Sequence, residues 1–454
     1  MNKNILIIFQ IQFFLILLIL YFLKVDIDIL KYYFIFIYIE VFILSLKKKF
    51  LNIYQIFLGM LFFFNFARIF QDVFFNYQLE LKTLYIRGYL KEQTIRELLF
   101  FFGTFLIVSS IAFLNNIKDP RIKIKNKSKG NSKILIIIYF IFLFLSCSNF
   151  IKIIIFVKKN GYLSLFNGEI NEVEIIRGVI SISQAIFIVL LYNHKTKKEF
   201  YIYVLSLLTF LFVPKLLTGQ RGATLTLIVY LIYIYNKKYK IKNKRNIFLG
   251  VGLLFCIIKW AEAFRYSKEI SLNIKKIFEG INMVLYEQSV SMLISGYILE
   301  YKEDLIINHK YPYIFSYIID FFKGFKNYQS IERIYNGNYL GDQLTYYISK
   351  AHYLKGAGTG TAIIAEIIDL SYLNILFFII ISYIFIDISL KIEKNQKKNI
   401  FIFTISYFYL QSFIFSPRDS VIKIIPSLFI FIPLVYIIYK FNNIVLETKN
   451  KNKG

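Results

Sequence analysis

The chain has 454 residues, 57 % of them hydrophobic and 18 % charged, with a formal net charge of +27. Apolar runs of roughly twenty residues recur along it, and that length crosses the hydrocarbon core of a bilayer, so a soluble globular protein is excluded. The two cysteines, Cys147 and Cys256, lie inside apolar runs, which excludes a disulfide framework and indicates buried structural thiols.

The apolar runs predict an all-α bundle of about twelve transmembrane helices that forms a single membrane domain over residues 1–454. The first run, Ile5 to Leu23, is too long for a signal peptide and lacks its cleavage site, so we expect it to remain as the first helix. In chain order the predicted helices lie near residues 4–23, 30–46, 50–70, 95–114, 134–157, 175–192, 200–214, 217–235, 247–262, 362–386, 400–415 and 421–439.

The segments that join the predicted helices differ in charge between the two sides of the membrane. One set, which includes both termini, holds 28 basic and four acidic residues, whereas the short segments of the other set hold ten basic and nine acidic residues. Because Lys and Arg in short loops stay in the cytoplasm, we expect the first set and both termini to be cytoplasmic. Besides the termini, that set comprises residues 47–49, 115–133, 193–199, 236–246 and 391–399.

The longest polar stretch, residues 263–360, joins predicted helices nine and ten and falls on the extracytoplasmic side. It holds eleven basic and nine acidic residues. Ile274, Ile277 and Ile281 repeat at helical spacing, so we expect a folded lid with an apolar face. Its second half, residues 311–347, mixes Tyr, Asn, Asp and Gly as sugar-binding surfaces often do.

The sharpest candidate site is the run Leu217-Thr-Gly-Gln-Arg-Gly-Ala223, in a predicted exterior turn. Gly219 and Gly222 flank the Gln-Arg pair and permit the close approach of a bulky anion. The guanidinium of Arg221 has donors in a fixed fork that suits phosphate, and the start of the next helix adds backbone donors. The alternative is an interfacial arginine that caps a helical hairpin.

Two further arginines lie at the same exterior level in this topology. Arg265 follows predicted helix nine, and Arg418 lies in Ser416-Pro-Arg-Asp-Ser420. Together with Arg221 they predict an anion pocket. The alternative is that each pairs with a neighbouring acid, Arg265 with Glu262 or Glu269 and Arg418 with Asp419.

The exterior stretch closes on Gly356-Ala-Gly-Thr-Gly-Thr361, where Gly358 and Gly360 favour a tight re-entry into the membrane beside an extended substrate. Glu366 and Asp369 follow three residues apart on one helix face. Either carboxylate is a candidate general base for a hydroxyl, or it simply favours the positive helix start.

The remaining polar candidates carry less weight. His309 and His352 lie in the exterior stretch and are possible bases, whereas His194 is predicted to be cytoplasmic. Arg68 and Arg177 are predicted to be interfacial anchors near exterior helix ends.

No metal and no nucleotide cofactor are expected. The pair Asp26 and Asp28 lies in a short loop, and we interpret it as a chance occurrence. The glycine run lacks a following Lys-Ser or Lys-Thr pair and a preceding strand, so its context excludes a nucleotide-binding loop.

The ordered set of motifs resembles the Wzy-type oligosaccharide repeat-unit polymerases of bacterial O-antigen and capsule assembly. The motifs are Thr218-Gly-Gln-Arg-Gly222, the long exterior stretch, the glycine run leading into Ala365-Glu366-Ile367, and Pro417-Arg418 before a last helix. Members of that family often continue the Ala-Glu pair with an aromatic residue and a glycine. This chain instead has Ile367-Ile-Asp-Leu-Ser-Tyr372.

The resemblance implies a glycosyltransferase in the bacterial cytoplasmic membrane that joins undecaprenyl-pyrophosphate-linked glycans on its outer face. A flippase and a chain-length regulator are then possible partners. Arg221, Arg265 and Arg418 would stabilise the charge that builds on the departing pyrophosphate. Glu366 or an exterior histidine would aid the attacking hydroxyl, and Gly219, Gly222, Gly358, Gly360 and His309 would lie against the substrate.

Two related functions remain as alternatives. A lipid-linked oligosaccharide flippase needs charges at mid-membrane depth, and Glu40 and Asp387 are among the few candidates. An O-antigen ligase shares the lipid donor and the exterior arginines. An essential exterior histidine would favour the ligase.

Overall fold

In a computed structural model of the chain, the structure is described for most of its length, and in those ranges every regular element is helical. The described residues are 3–47, 51–75, 90–117, 130–161, 165, 173–218, 221–241, 282–301, 311–325, 329–371 and 374–451. The all-α prediction is therefore confirmed for this part of the chain.

Seven helices in the described ranges are long and apolar enough to cross a membrane, so the chain is a multi-pass membrane protein. The predicted number of about twelve spans is not reached among the described residues. Predicted helix 247–262 lies outside them. The seven are Lys3–Phe22, Ile53–Phe75, Glu92–Asn115, Lys133–Asn160, Lys197–Leu217, Ile375–Asn395 and Ile424–Thr448.

The first of two compact units comprises Met1–Ile122, Leu272–Glu393 and Ser412–Lys423. Its long helices are α1 (Lys3–Phe22), α2 (Ile27–Ser45), α3 (Ile53–Phe75) and α4 (Glu92–Asn115). Both α1 and α2 pack on α4. Side chains buried between these helices bond to one another: Gln10 Nε2 donates to Glu40 Oε2 at 2.7 Å, and Ser110 Oγ donates to Gln10 Oε1 at 2.6 Å.

The second unit comprises Lys123–Ser271, Lys394–Gln411 and Ile424–Gly454. It contains α5 (Lys133–Asn160), α6 (Val173–Asn193), α7 (Lys197–Leu217) and α8 (Arg221–Tyr239). The helix α6 packs on α5 and on the last helix, Ile424–Lys451.

The described part of the exterior stretch belongs to the first unit and consists of short helices. A helical segment spans 282–288, and the later helices are α9 (Ser291–Glu300), α10 (Tyr313–Phe322), α11 (Ile331–Asn336), α12 (Leu340–Ile348) and α13 (Lys350–Leu354). The stretch is therefore helical over these residues. Residues 263–281, 302–310 and 326–328 lie outside the description, and Ile274, Ile277 and Ile281 are among them, so the lid with an apolar face stays a prediction.

After the glycine run the structure has two helices, where the sequence predicts one span over residues 362–386. The helix α14 (Ile363–Ser371) ends before Asn374, and α15 (Ile375–Asn395) begins directly after it. The side chain of Asn374 accepts a hydrogen bond from Leu376 N at 2.9 Å and so caps the new helix. Two helices complete the chain, α16 (Ile400–Phe415) and α17 (Ile424–Lys451).

Candidate functional site

The candidate site residues fall into three groups. Glu366, Arg418, Gly358 and Gly360 are described in the first unit. Arg221 is the first residue of α8 in the second unit, whereas the predicted helix covers residues 217–235. Gly222 follows Arg221. The side chain of Arg221 lies outside the description, as do Gly219, Arg265 and His309, so the convergence of three arginines stays a prediction.

The glycine run threads between α12 and the turn at residues 416–420. Thr359 N donates to Thr345 Oγ1 at 2.9 Å, and Ile363 N donates to Ser416 O at 2.8 Å. Gly360 has φ +76°, and a Cβ added at Gly341 would lie 2.6 Å from Gly360 O. A side chain at Gly341 would therefore force the glycine run away from α12.

Glu366 links this run to the turn that carries Arg418. Its side chain is fully buried, with Thr361 Oγ1 donating to Oε1 at 3.0 Å and Ser420 Oγ donating to Oε2 at 3.1 Å. The helix α14 is not one of the seven candidate spans. Burial raises the pKa of Glu366 to about 8, against the lowering effect of the two hydroxyl donors. At neutral pH this carboxyl therefore keeps its proton, and it must lose that proton before it acts as a base.

Glu366→Gln is expected to flatten the pH dependence of stability. A carboxyl whose pKa is raised on folding from 4.5 to about 8 contributes stability that is complete below pH 4.5 and is lost as the pH rises through 8. Glutamine does not titrate, so the melting temperature of the variant should change less between pH 6 and pH 9 than that of the wild type. Glu332→Gln, at an exposed carboxylate, is the matched control. Equal slopes in the wild type and Glu366→Gln would contradict this assignment.

Asp369 lies three residues after Glu366 on α14, as predicted, and its side chain accepts a hydrogen bond from a different helix. Its Oδ2 accepts from Tyr313 N at 2.9 Å, at the first residue of α10. The two carboxyls of α14 therefore tie the glycine run, the arginine turn and the exterior helices to one buried helix.

The side chain of Arg418, in the turn that contacts Glu366, donates a hydrogen bond to a main-chain carbonyl. Its Nη1 donates to Gln288 O at 3.2 Å, and its guanidinium carbon lies 5.6 Å from the ring centroid of Phe64. Asp419 forms an ion pair with Lys423.

The structure places Arg68 elsewhere than the sequence predicts. The interpretation as an interfacial anchor was wrong, because only 2 % of the side chain is exposed. Its Nε donates to Tyr286 O at 2.8 Å, and its guanidinium carbon lies 4.0 Å above the ring of Tyr286. The side chain of Arg177 lies outside the description.

Sequence reasoning also missed a polar stripe on α3. Asn65, Arg68 and Gln71 follow one another at intervals of three, and each donates to a main-chain carbonyl. Asn65 lies in a π-helical turn, Phe62–Phe66, and its Nδ2 donates to Pro417 O at 2.9 Å. Such turns are frequent at functional sites. The spacing of three in an otherwise apolar run was the available signal.

A second missed feature is a buried ionic cluster in the helices of the predicted exterior stretch. Arg333 Nε lies 2.8 Å from Asp342 Oδ2, and its Nη2 lies 3.5 Å from Asp320 Oδ2. The three side chains are 6 to 10 % exposed. Burial raises the pKa of Asp342 to about 6, although Arg333 lowers it. This cluster joins α10, α11 and α12.

The described histidines have local partners. His352 Nδ1 lies 2.8 Å from Ser349 Oγ in the turn that starts α13. His194 is buried at the end of α6, with Nδ1 2.5 Å from Leu191 O. Among the described residues, no group of three or more His, Cys, Asp or Glu side chains is placed to hold a metal ion.

A comparison with protein families gives one assignment. The family model described as O-antigen polysaccharide polymerase Wzy matches residues 5–450. Neither the curated proteins nor the solved structures contain a match. Because the family model spans nearly the whole chain, including α3, the exterior stretch, α14 and the Arg418 turn, the chain belongs to the O-antigen polysaccharide polymerase Wzy family.

Proposed function

We propose that this protein polymerises undecaprenyl-pyrophosphate-linked oligosaccharide repeat units into O-antigen or capsular polysaccharide. The reaction takes place on the outer face of the cytoplasmic membrane, with both termini in the cytoplasm. The observation that carries this proposal is the family match over residues 5–450. The site in the first unit supports it, because the turn that carries Arg418 also holds the buried carboxyl of Glu366 through Ser420.

The proposed reaction is a glycosyl transfer. A hydroxyl of one lipid-linked glycan attacks the anomeric carbon of another, and the bond from that carbon to the pyrophosphate oxygen breaks. The hydroxyl proton passes to a base, and the electron pair of the broken bond stays on the pyrophosphate. The lipid pyrophosphate itself supplies the driving force, so the transfer needs no nucleotide.

In this proposal the arginines bind the leaving group. Arg221, Arg265 and Arg418 stabilise negative charge that is larger in the transition state than in the bound substrate. The exterior helices hold the glycan, with His309 and the glycines at 219, 222, 358 and 360 against it. A flippase that delivers the repeat units and a regulator of chain length are the proposed partners.

The charges that would favour a flippase have protein partners in the structure. Glu40 accepts from Gln10, and Asp387 Oδ1 accepts from Asn116 Nδ2 at 2.9 Å while its Oδ2 lies 2.6 Å from Lys391 Nζ. Both carboxylates thus serve to join helices, which leaves the polymerase as the better supported function.

Arg221→Lys keeps the charge of Arg221 but loses its planar fork, so it should shorten or abolish the polymer. The test is a gel of surface polysaccharide from a deletion strain that carries wild type, Arg221→Ala, Arg221→Lys or Arg177→Lys, the last as control. We expect a lipid core with a single repeat unit in the deletion strain and in Arg221→Ala, and a full ladder with wild type and Arg177→Lys.

Other patterns would contradict the proposal in distinct ways. A bare core in the deletion strain would indicate a flippase or a ligase. An unchanged ladder would mean that the protein does not make this polymer. Wild-type chain lengths in Arg221→Lys and Arg221→Ala would remove Arg221 from the site while leaving the polymerase function in place.

A further inference from the structure

Arg68 is a buried cation that forms no salt bridge with a described carboxylate, and Glu287 interacts with it only from beyond salt-bridge distance. Besides the bond from Nε to Tyr286 O, its Nη1 is buried and has no hydrogen-bond partner in the described ranges. The ring of Tyr286 offers a cation–π contact, which compensates only part of the cost of burying a full charge.

The other buried arginines of the first unit differ in this respect. Arg333 contacts Asp342 and Asp320, and Arg96 Nη2 lies 3.0 Å from Glu92 Oε1. Arginine stays charged inside proteins, and buried charges are normally paired. Arg68 therefore lacks a close counter-ion among the described residues, and a ligand can supply one.

Arg68 and Arg418 share their supports. Arg68 donates to Tyr286 O and Arg418 donates to Gln288 O, two residues further along the same backbone. Asn65, one helical turn before Arg68, donates to Pro417 O beside Arg418. The two guanidinium groups thus belong to one cluster, built by the π-helical turn of α3 and the end of the helical segment 282–288.

We propose that Arg68 is a further arginine ligand for the phosphate groups of the lipid-linked substrate, acting beside Arg418. This inference rests on the proposed function, in which Arg418 binds the departing pyrophosphate. A pyrophosphate presents several anionic oxygens, and a guanidinium fork beside that of Arg418 adds a charge-assisted contact to them. Asn65 and the carbonyl of Tyr286 are then positioning groups that hold this pair.

The test is the affinity of the purified full-length protein for inorganic pyrophosphate, measured by calorimetry in phosphatidylcholine nanodiscs. Arg68→Gln should weaken binding by about ten- to a hundredfold, which is the range for one charge-assisted hydrogen-bonding group. Gln71→Leu is the matched control, because Gln71 is 2 % exposed on the same helix and donates to Asn282 O at 2.8 Å. It should leave the affinity within about twofold.

If Arg68→Gln does not fold, Arg68→Lys replaces it, and a loss of pyrophosphate affinity in that charge-conserving variant supports the proposal. Wild-type affinity in the folded Arg68 variant would overturn the proposal and leave Arg68 as a cation–π anchor. If Arg418→Gln weakens binding and Arg68→Gln does not, this inference alone fails.

Two results concern the source of the phosphate. If the wild type binds no pyrophosphate and Arg418→Gln still polymerises, the proposed site fails together with this inference. If phosphatidylglycerol in the nanodiscs competes through Arg68 and pyrophosphate does not bind there, Arg68 serves a phospholipid headgroup, and the proposal is overturned.

Discussion

Arg418→Gln is expected to slow polymer synthesis by about a hundred- to a thousandfold, the range found when one donor to a developing negative charge is removed. Its guanidinium now donates to the neutral carbonyl of Gln288, and glutamine keeps some polarity but neither the charge nor the fork. The rate of chain extension from purified lipid-linked repeat units, in proteoliposomes that hold the variant, measures the effect. The loss should appear in kcat more than in KM.

Lys423→Gln is the control for that experiment. Lys423 lies close to Arg418 in the chain and pairs with Asp419, so this variant removes a nearby positive charge without touching the proposed ligand. It should retain most of the wild-type rate. Wild-type kcat in Arg418→Gln, or an equal loss in Lys423→Gln, would mean that general charge rather than Arg418 serves the leaving group.

Arg333→Met is expected to lower the free energy of unfolding by about 3–5 kcal/mol, because it leaves a buried carboxylate pair without its cation. The two carboxylates, Asp320 and Asp342, then face each other in a dry environment. Denaturant titration of the detergent-solubilised protein measures the change. The exterior helices α10 to α12 should open first, since this cluster joins them.

The destabilisation should depend on pH in a defined direction. The pKa of Asp342 is already about 6, and losing Arg333 raises it further because that cation lowers it. Both carboxyls then take up protons as the pH falls, so the deficit of Arg333→Met should be smaller at pH 5 than at pH 8. Adding Asp320→Asn and Asp342→Asn should restore most of the lost stability. A deficit that is the same at both pH values would show that lost packing, not the unpaired charge, is responsible.

The sequence predicts the long helices well because each is a continuous apolar run. The predicted helix at 134–157 corresponds to α5, Lys133–Asn160, and the one at 4–23 corresponds to α1, Lys3–Phe22. The break at Asn374 and the π-helical turn Phe62–Phe66 lie in apolar runs where the polar residues are too few to end a predicted helix. Such local changes of helix geometry depend on which side chain forms a hydrogen bond to which main-chain group, and hydropathy carries no information about those bonds.

The candidate site, like the fold, could be predicted from the sequence only in part. Glu366 and Arg418 stand out in the sequence because charges are rare beside apolar runs. The hydrogen bonds that Thr361 and Ser420 donate to Glu366 depend on tertiary packing, and the sequence pattern does not show that packing. Arg68 shows the limit most clearly, since only the packing of the chain around it distinguishes a buried cation from an anchor at the membrane surface.

The bond between Asn65 and Pro417 joins residues 352 positions apart. A ribosome must therefore add 352 residues after Asn65 before the carbonyl of Pro417 exists to meet it. Until the turn at 416–420 is in place, Glu366 lacks Ser420 and Asn65 lacks Pro417. Contacts of such sequence separation form late in folding. The nascent chain can thus reside in the bilayer, among the same lipids as its substrate, without a complete site.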